Sequence, residues 1–162
     1  MVRKQISLFL KNVPGELGRL AVLLAENKIN LEALSIQDAS AYVMELFQAR
    51  GKSIKRIAST NSYDSVRKDS EEFALIRLLV KEDETDRAVE VLAQNDYMFD
   101  VLPVIAVGLD NKTGALAEVA ARFGREGINI KYVYGSALCT DEKALFVFCP
   151  EDIDHAAKFF GD

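Results

Sequence analysis

The chain carries one sequence pattern twice, at a constant spacing of 99 residues. Segments 10–31 and 109–130 align without a gap and share seven identical residues. The identical pairs are Leu10 and Leu109, Asn12 and Asn111, Gly15 and Gly114, Leu17 and Leu116, Ala21 and Ala120, Ile29 and Ile128, and Asn30 and Asn129. Such self-similarity is typical of a chain that builds the same supersecondary unit twice.

A weaker match between the two copies follows at a shorter spacing. Residues 74–75 resemble 144–145, and 86–88 resemble 154–156, at offsets of 68 to 70. The first copy therefore carries about 30 additional residues, placed at about 40–71. This insertion has six basic and four acidic residues, whereas the whole chain has a formal net charge of −5. It is expected to be either a solvated helical excursion or a docking element.

Hydrophobic periodicity predicts the order β-α-β-β-α-β in the first copy. Ile6, Leu8 and Leu10 alternate as in a strand, and the apolar residues after Gly15 recur at helical spacing. The predicted strands are 5–10, 31–37, 73–81 and 97–102, then 104–109, 130–138 and 144–149 in the second copy. Helices are predicted after Gly15 and Gly114, at 84–95 and at about 151–160. The order predicts an α+β fold with helices on one face of antiparallel sheets.

The two copies are expected to be unequal domains. The first module covers 1–103 with its insertion, and the second covers 104–162. A fourth strand of the second module would begin near position 165, so that module is expected to lack it. Strand 104–109 would then have an open edge, which proteins normally cover. The insertion or another subunit is expected to cover it, and a homodimer is therefore expected.

The doubled turn motif resembles the ACT-domain family, and most closely its stand-alone tandem members. The family pattern is Asn/Asp-x-x-Gly-x-Leu after a strand, then a helix and an Ile-Asn that opens the next strand. It occurs as Asn12-Val13-Pro14-Gly15-Glu16-Leu17 with Ile29-Asn30-Leu31, and again as Asn111-Lys112-Thr113-Gly114-Ala115-Leu116 with Ile128-Asn129-Ile130. The resemblance covers 4–39 and 72–160 and implies tandem ferredoxin-like modules.

The resemblance also implies a regulatory protein that binds an amino acid between ACT modules. The implied ligand-binding residues are Asn12, Val13, Pro14, Gly15, Glu16, Leu17, Asn30, Asn111, Lys112, Thr113, Gly114, Ala115, Leu116 and Asn129. A glycine and a helix N-terminus suit the close approach of a carboxylate. The structural alternative is that the glycines only permit the turn, that Asn30 and Asn129 occupy positive φ, and that Leu17 and Leu116 are core residues.

The leading hypothesis is a cytoplasmic, non-catalytic amino-acid sensor that signals to a partner enzyme. Its ligand is expected between the turns 12–17 and 111–116, with Asn30 and Asn129 nearby. The alternative is a structural or regulatory subunit of an enzyme complex with no ligand of its own. A likeness to the small subunit of acetolactate synthase is weaker, because the C-terminal half of that family is not a second ACT repeat.

The remaining chemistry of the sequence is sparse. One histidine, two cysteines and no glycine-rich phosphate loop give no support for an enzyme, a metal site or a cofactor. The acidic balance argues against nucleic acid, and the apolar start of the chain is too short for a membrane span.

Overall fold

The computed structural model describes residues 1–39, 73–136 and 143–160, so the insertion at 40–71 lies outside the described residues. Six strands and four α-helices are present in this part. The strands are β1 (Val2–Lys11), β2 (Leu31–Asp38), β3 (Phe73–Val80), β4 (Phe99–Asp110), β5 (Ile130–Ser136) and β6 (Lys143–Pro150). The helices are α1 (Glu16–Glu26), α2 (Thr85–Gln94, after a short 3₁₀ helix at Glu82–Glu84), α3 (Ala115–Arg125) and α4 (Ile153–Phe160). The α+β class and the antiparallel ferredoxin-like pattern are confirmed.

The six strands form one antiparallel sheet in the order β2-β3-β1-β4-β6-β5. Strands β2, β3, β1 and the first half of β4 have the four-stranded order of one ferredoxin-like module. The second half of β4 continues into β6 and β5, so the second module contributes three strands. The boundary between modules near residue 103 stays a prediction.

Strand β4 corrects the prediction of two separate strands at 97–102 and 104–109. It runs unbroken through Pro103, which pairs with Lys4 of β1. The backbone groups of Ala106 face β1, since its N–H donates to the Met1 carbonyl at 2.9 Å. By alternation Pro103 faces the other way, where the ladder with β6 begins only at Ile105. A proline without an N–H is therefore tolerated at this point.

The expected open edge of the second module is partly covered by β1. Val2 pairs with Ile105 and Arg3 pairs with Val104. The expectation that the insertion or another subunit covers these positions is wrong, because the first strand of the same chain reaches across. Beyond Ala106, the stretch Val107–Asp110 pairs with β6 and has no second strand beside it in the described residues.

The helices pack on one face of the sheet over two different cores. The first core is aliphatic and includes Ile6, Leu8, Leu20, Leu24 and Leu92, from β1, α1 and α2. The second core is built around three phenylalanines. The ring of Phe123 lies 4.5 Å from that of Phe160 and 5.2 Å from that of Phe148, measured between centroids.

The opposite face, here called the helix-free face, encloses a third apolar cluster. It joins Ala33 of β2 with Tyr132 and Tyr134 of β5, although these strands lie at opposite ends of the sheet order. Strands β2 and β5 are in contact without pairing. The sheet is therefore curled toward its helix-free face, which brings the two modules together across a concave surface.

Candidate functional site

Each of the two predicted turns leads directly into a helix, and its glycine is the residue just before that helix. Gly15 and Gly114 precede α1 and α3 with φ of 96° and 92°, a conformation that only glycine adopts at little cost. The following main chain closes onto the turn, since the N–H of Arg19 bonds to the Gly15 carbonyl at 2.9 Å and Glu118 repeats this with Gly114 at 3.0 Å. Most of the predicted site residues here are solvent-exposed: Asn12, Val13, Pro14, Gly15, Leu17, Asn111, Lys112, Thr113, Gly114 and Leu116; Glu16 and Ala115 are intermediate.

The expectation that Leu17 and Leu116 are core residues is wrong. They are 37 % and 40 % exposed, and the next helical positions, Leu20 and Val119, turn toward the sheet instead. Apolar side chains therefore lie at the surface beside both turns.

The structure does not bring the two turns together within one chain. Turn 12–17 follows the end of β1, near the start of β4, because Leu8 pairs with Phe99. Turn 111–116 follows the other end of β4, at Asp110. With a rise of about 3.3 Å per residue, the two turns are separated by roughly 40 Å along the strand direction. A single site between them, as the sequence predicts, is not formed by one chain.

Asn30 and Asn129 lie apart from their turns, at the opposite ends of α1 and α3. The Asn30 N–H donates to Glu84 Oε2 at 2.9 Å, and the Asn129 carbonyl accepts from the Glu151 N–H at 2.8 Å. Each bond ties the start of an edge strand to the segment that follows the next strand. Positive φ occurs two residues earlier, at Lys28 and Gly127, so the prediction of positive φ at the asparagines is wrong.

A different cavity lies between the modules, on the helix-free face. We call it the inter-repeat pocket; its volume is about 640 Å³. Its lining comes from β1, β3 and β4 and the adjoining residues of the first repeat, and from β5 of the second. The lining residues are Ser7, Phe9, Leu75, Arg77, Met98, Phe99, Asp100, Leu102, Lys131 and Tyr132. A volume in this range suits a small molecule.

A hydrogen-bonded network fixes the wall of this pocket. Gln5 is fully buried; its Nε2 donates to Tyr132 Oη at 2.7 Å and to Ser7 Oγ at 2.9 Å. Its Oε1 accepts from the Tyr134 hydroxyl at 3.0 Å. Because a buried amide is costly unless bonded, this network holds β1 of the first repeat to β5 of the second.

Charged groups of both signs face the same pocket. The Arg77 guanidinium lies 4.1 Å from the centroid of the Tyr132 ring and donates to Gln37 Oε1 at 2.7 Å. Lys131 adds a second cation, and Asp100 adds a carboxylate. Burial raises the pKa of Tyr132, assisted by a hydrogen bond with Cys149, so the hydroxyl stays protonated at neutral pH. Burial and the neighbouring Tyr132 raise the pKa of Tyr134 as well.

Sequence reasoning missed these residues, although two signals mark them. Arg77 is the only charged residue in the otherwise apolar strand Phe73–Val80, and Gln5 and Ser7 alternate with apolar residues in β1. Their meeting with Tyr132 depends on the curl of the sheet, which no local pattern encodes. In the described residues, no three acidic, histidine or cysteine side chains are grouped to hold a metal ion. No described helix combines the length and apolar character needed to span a bilayer.

Comparison with protein-family models gives a match to the ACT domain pair over residues 42–160. The chain belongs to the ACT domain pair family. ACT domains are regulatory, ligand-binding domains. The ACT resemblance of the turn motifs is thereby confirmed.

Several solved structures are similar to this chain over nearly its whole length. Protein BT0572 from Bacteroides thetaiotaomicron is 27 % identical with a TM-score of 0.68, over 98 % of this chain and 85 % of that one. The regulatory subunit of aspartate kinase from Thermus thermophilus is 14 % identical with a TM-score of 0.55, over 99 % and 93 %. Its Thermus flavus counterpart is 16 % identical with a TM-score of 0.51, over 99 % and 94 %. No curated protein matches the chain.

Proposed function

We propose that this ACT domain pair is a non-catalytic regulatory protein that binds a free amino acid in the inter-repeat pocket. The observation that carries the proposal is the meeting of Arg77, Lys131 and Asp100 around one cavity of about 640 Å³ between the repeats. A zwitterion needs a cation for its carboxylate and a carboxylate for its ammonium group, and this cavity offers both.

Arg77 is the natural partner for the ligand carboxylate. Its guanidinium is oriented by stacking on Tyr132 and by the bond to Gln37, so little side-chain freedom is lost on binding. Asp100 lines the same cavity and would receive the ammonium group. Phe9, Leu75 and Leu102 supply apolar walls for a side chain. These three functions are separable by single substitutions.

The regulatory output follows from the position of the pocket. A ligand that contacts Arg77 of β3 and Lys131 of β5 bridges two strands that are not neighbours in the sheet. Binding would favour the curled sheet, in which β3 and β5 both reach the ligand, over any form in which the curl is opened. The size of this shift is set by the difference between the ligand's affinities for the two forms. A partner enzyme or a second copy that distinguishes the two forms would read this change. We place this sensor in the cytoplasm and expect it to work as a homodimer.

One observation favours the alternative, a regulatory subunit that binds its enzyme without a small ligand. Val13, Leu17 and Val22 are all exposed at and after the first turn. Exposed apolar groups of this kind suit a protein partner. Under this alternative the turn surface would be needed for complex formation and the inter-repeat pocket would not.

Isothermal titration calorimetry against the twenty amino acids tests the proposal. We expect a small subset to bind the wild-type chain, and Arg77→Gln to weaken that binding at least tenfold. Asp100→Asn should weaken it as well, whereas Lys4→Gln, an exposed cation of β1 outside the pocket, should leave it unchanged. No binding by any amino acid to folded wild type would refute the sensor. Full binding by folded Arg77→Gln would refute this location.

A further inference from the structure

The two halves of β4 have different strand neighbours, since β1 pairs with Phe99–Ile105 and β6 pairs with Ile105–Asp110. Ala106 directs its N–H and its carbonyl toward β1, as its bond to the Met1 carbonyl at 2.9 Å shows. In an antiparallel strand every second residue points its backbone groups to the same side, so Gly108 faces that side too. Pairing with β1 has ended by then, and in the described part of the chain no strand lies beside Gly108 there.

A groove of about 360 Å³, here called the edge groove, runs beside this stretch between β4 and α3. Its apolar surface comes from Val107, Leu109, Val119 and Phe160. Gly108 contributes no side chain to the groove, and Cδ of Lys143 lies 3.6 Å from the place that a Cβ on Gly108 would take. The edge groove therefore offers an N–H, a carbonyl and an apolar floor together.

The edge groove is positively charged within an acidic protein. Lys112, Arg122, Arg125 and Lys143 line it, against Asp110 and Glu118, while the whole chain has a net charge of −5. Asp110 is already engaged, since its carboxylate lies 3.3 Å from Lys112 Nζ. The guanidinium of Arg122 lies 4.8 Å from the centroid of the Phe160 ring, which orients it at the rim of the groove. The groove thus keeps an excess of positive charge around a strand edge that no described strand pairs.

We propose that the edge groove binds an acidic segment of a partner protein as an added β-strand beside Gly108. The backbone N–H and carbonyl of Gly108, which no described strand pairs on this side, call for a peptide, because a small inorganic anion has no N–H to give to the carbonyl. The cationic rim calls for an acidic one. A second copy docked edge to edge would bring two positively charged grooves together, and like charges opposed across strands are destabilising.

The proposal is tested by NMR titration of ¹⁵N-labelled protein with a capped hexapeptide of alternating glutamate and valine. We expect the largest shifts at the amide of Gly108 and its neighbours in β4. The double variant Arg122→Glu/Arg125→Glu should raise Kd at least tenfold, whereas Lys11→Glu, a cation at the far end of β1, should not change it. Since the rim is exposed, raising NaCl from 50 to 300 mM should weaken binding severalfold.

Two peptide controls separate strand addition from simple charge attraction. N-methylation of alternate residues of the hexapeptide removes its ladder donors, and we expect it to abolish the Gly108 shift without any change to the protein. A lysine–valine hexapeptide should not bind. Equal binding of the methylated or the lysine peptide would overturn the proposal. Gly108 shifts produced equally by inorganic phosphate, or by raising the protein concentration without any peptide, would overturn it too. Amino-acid binding in the inter-repeat pocket is measured separately, so either idea can fail alone.

Discussion

The two repeats place different side chains on equivalent backbone positions, and the differences compensate. Ile36 of β2 pairs with Ile76 of β3, and the equivalent pair in the second repeat is Gly135 of β5 with Phe146 of β6. Two medium side chains in one copy are replaced by the smallest and one of the largest in the other. The fold conserves the space available to a cross-strand pair rather than the identity of either residue.

Side chains of different size also occupy equivalent positions in the two cores beneath the helices. Leu24 of α1 and Phe123 of α3 are 99 residues apart in the repeat, and each is 1 % exposed. Leu24 lies among aliphatic side chains, whereas Phe123 stacks on Phe160 and is tilted against Phe148. Among the described residues the second repeat has one strand fewer, and its helix-covered core contains larger side chains. This comparison yields four predictions.

The largest effect is expected from truncating the two helix residues. Phe123→Ala should cost about 4 kcal/mol and Leu24→Ala about 3 kcal/mol, since each leaves a cavity of its own size in a closed core. Urea unfolding followed by circular dichroism measures both. A larger loss at Leu24 would contradict the idea that the second repeat depends more heavily on its central aromatic residue.

The Gly135 and Phe146 pair gives the next largest effect. A Cβ atom added to Gly135 would lie 2.9 Å from both Cδ1 and Cε1 of Phe146, closer than side-chain carbons normally approach. Gly135→Ala should therefore cost about 2 kcal/mol because the ring must move. Ile36→Ala at the equivalent position, where the isoleucine is 48 % exposed, should cost less. The double variant Gly135→Ala/Phe146→Leu should recover part of the loss, and no recovery would break the compensation.

The link between the repeats should weaken at high pH. Burial raises the pKa of Tyr132 and Tyr134 in the folded chain above the ordinary value of 10.0. Above pH 10 the unfolded chain then releases protons that the folded chain retains, so the free energy of unfolding falls as pH rises. Below pH 10 this contribution is fully present. Unfolding at pH 9 and pH 11 measures the fall, which should be smaller in Tyr132→Phe/Tyr134→Phe; an equal fall in both proteins would contradict it.

The smallest effects are expected from making each helix resemble the other. Gly18 of α1 aligns with Ala117 of α3, and Gly124 of α3 aligns with Ala25 of α1. Apart from the adjacent residues and the backbone of the helix itself, no atom lies within 4 Å of a Cβ added at either glycine. Gly18→Ala and Gly124→Ala should each stabilise the protein by about 0.5 to 1 kcal/mol, because alanine loses less backbone freedom in a helix. Thermal unfolding measures the gain, and a loss at either position would indicate a contact that the free space does not reveal.

Local sequence patterns predict the helices and strands well, because the same pattern occurs in both copies and each copy supports the prediction for the other. The turns at Gly15 and Gly114 and the helices after them follow from glycine and apolar spacing, and they are present as expected. The patterns failed where the answer depended on distant residues. The predicted break at Pro103 is wrong, because a proline is tolerated there as long as pairing with β6 begins only at Ile105.

The candidate site was harder to predict than the fold. Short motifs identified the two turns but not their separation, which is set by the antiparallel register of β1 and β4. Gln5 and Arg77 carry no motif, and they meet Tyr132 only because β2 and β5 approach each other across the curl. A site assembled from three strands of distant sequence positions is marked in the sequence only by isolated polar residues within apolar strands.

Strand β4 gives the protein a property that neither repeat has alone. Phe99–Asp110 contributes its first half to one helix-covered layer and its second half to the other, with no loop between them. Unfolding of one end of this strand should therefore destabilise both halves of the molecule. Amide hydrogens in α1 and in α4 should therefore exchange through the same global opening, at matching rates. The two repeats would then unfold as one cooperative unit and not as two independent domains.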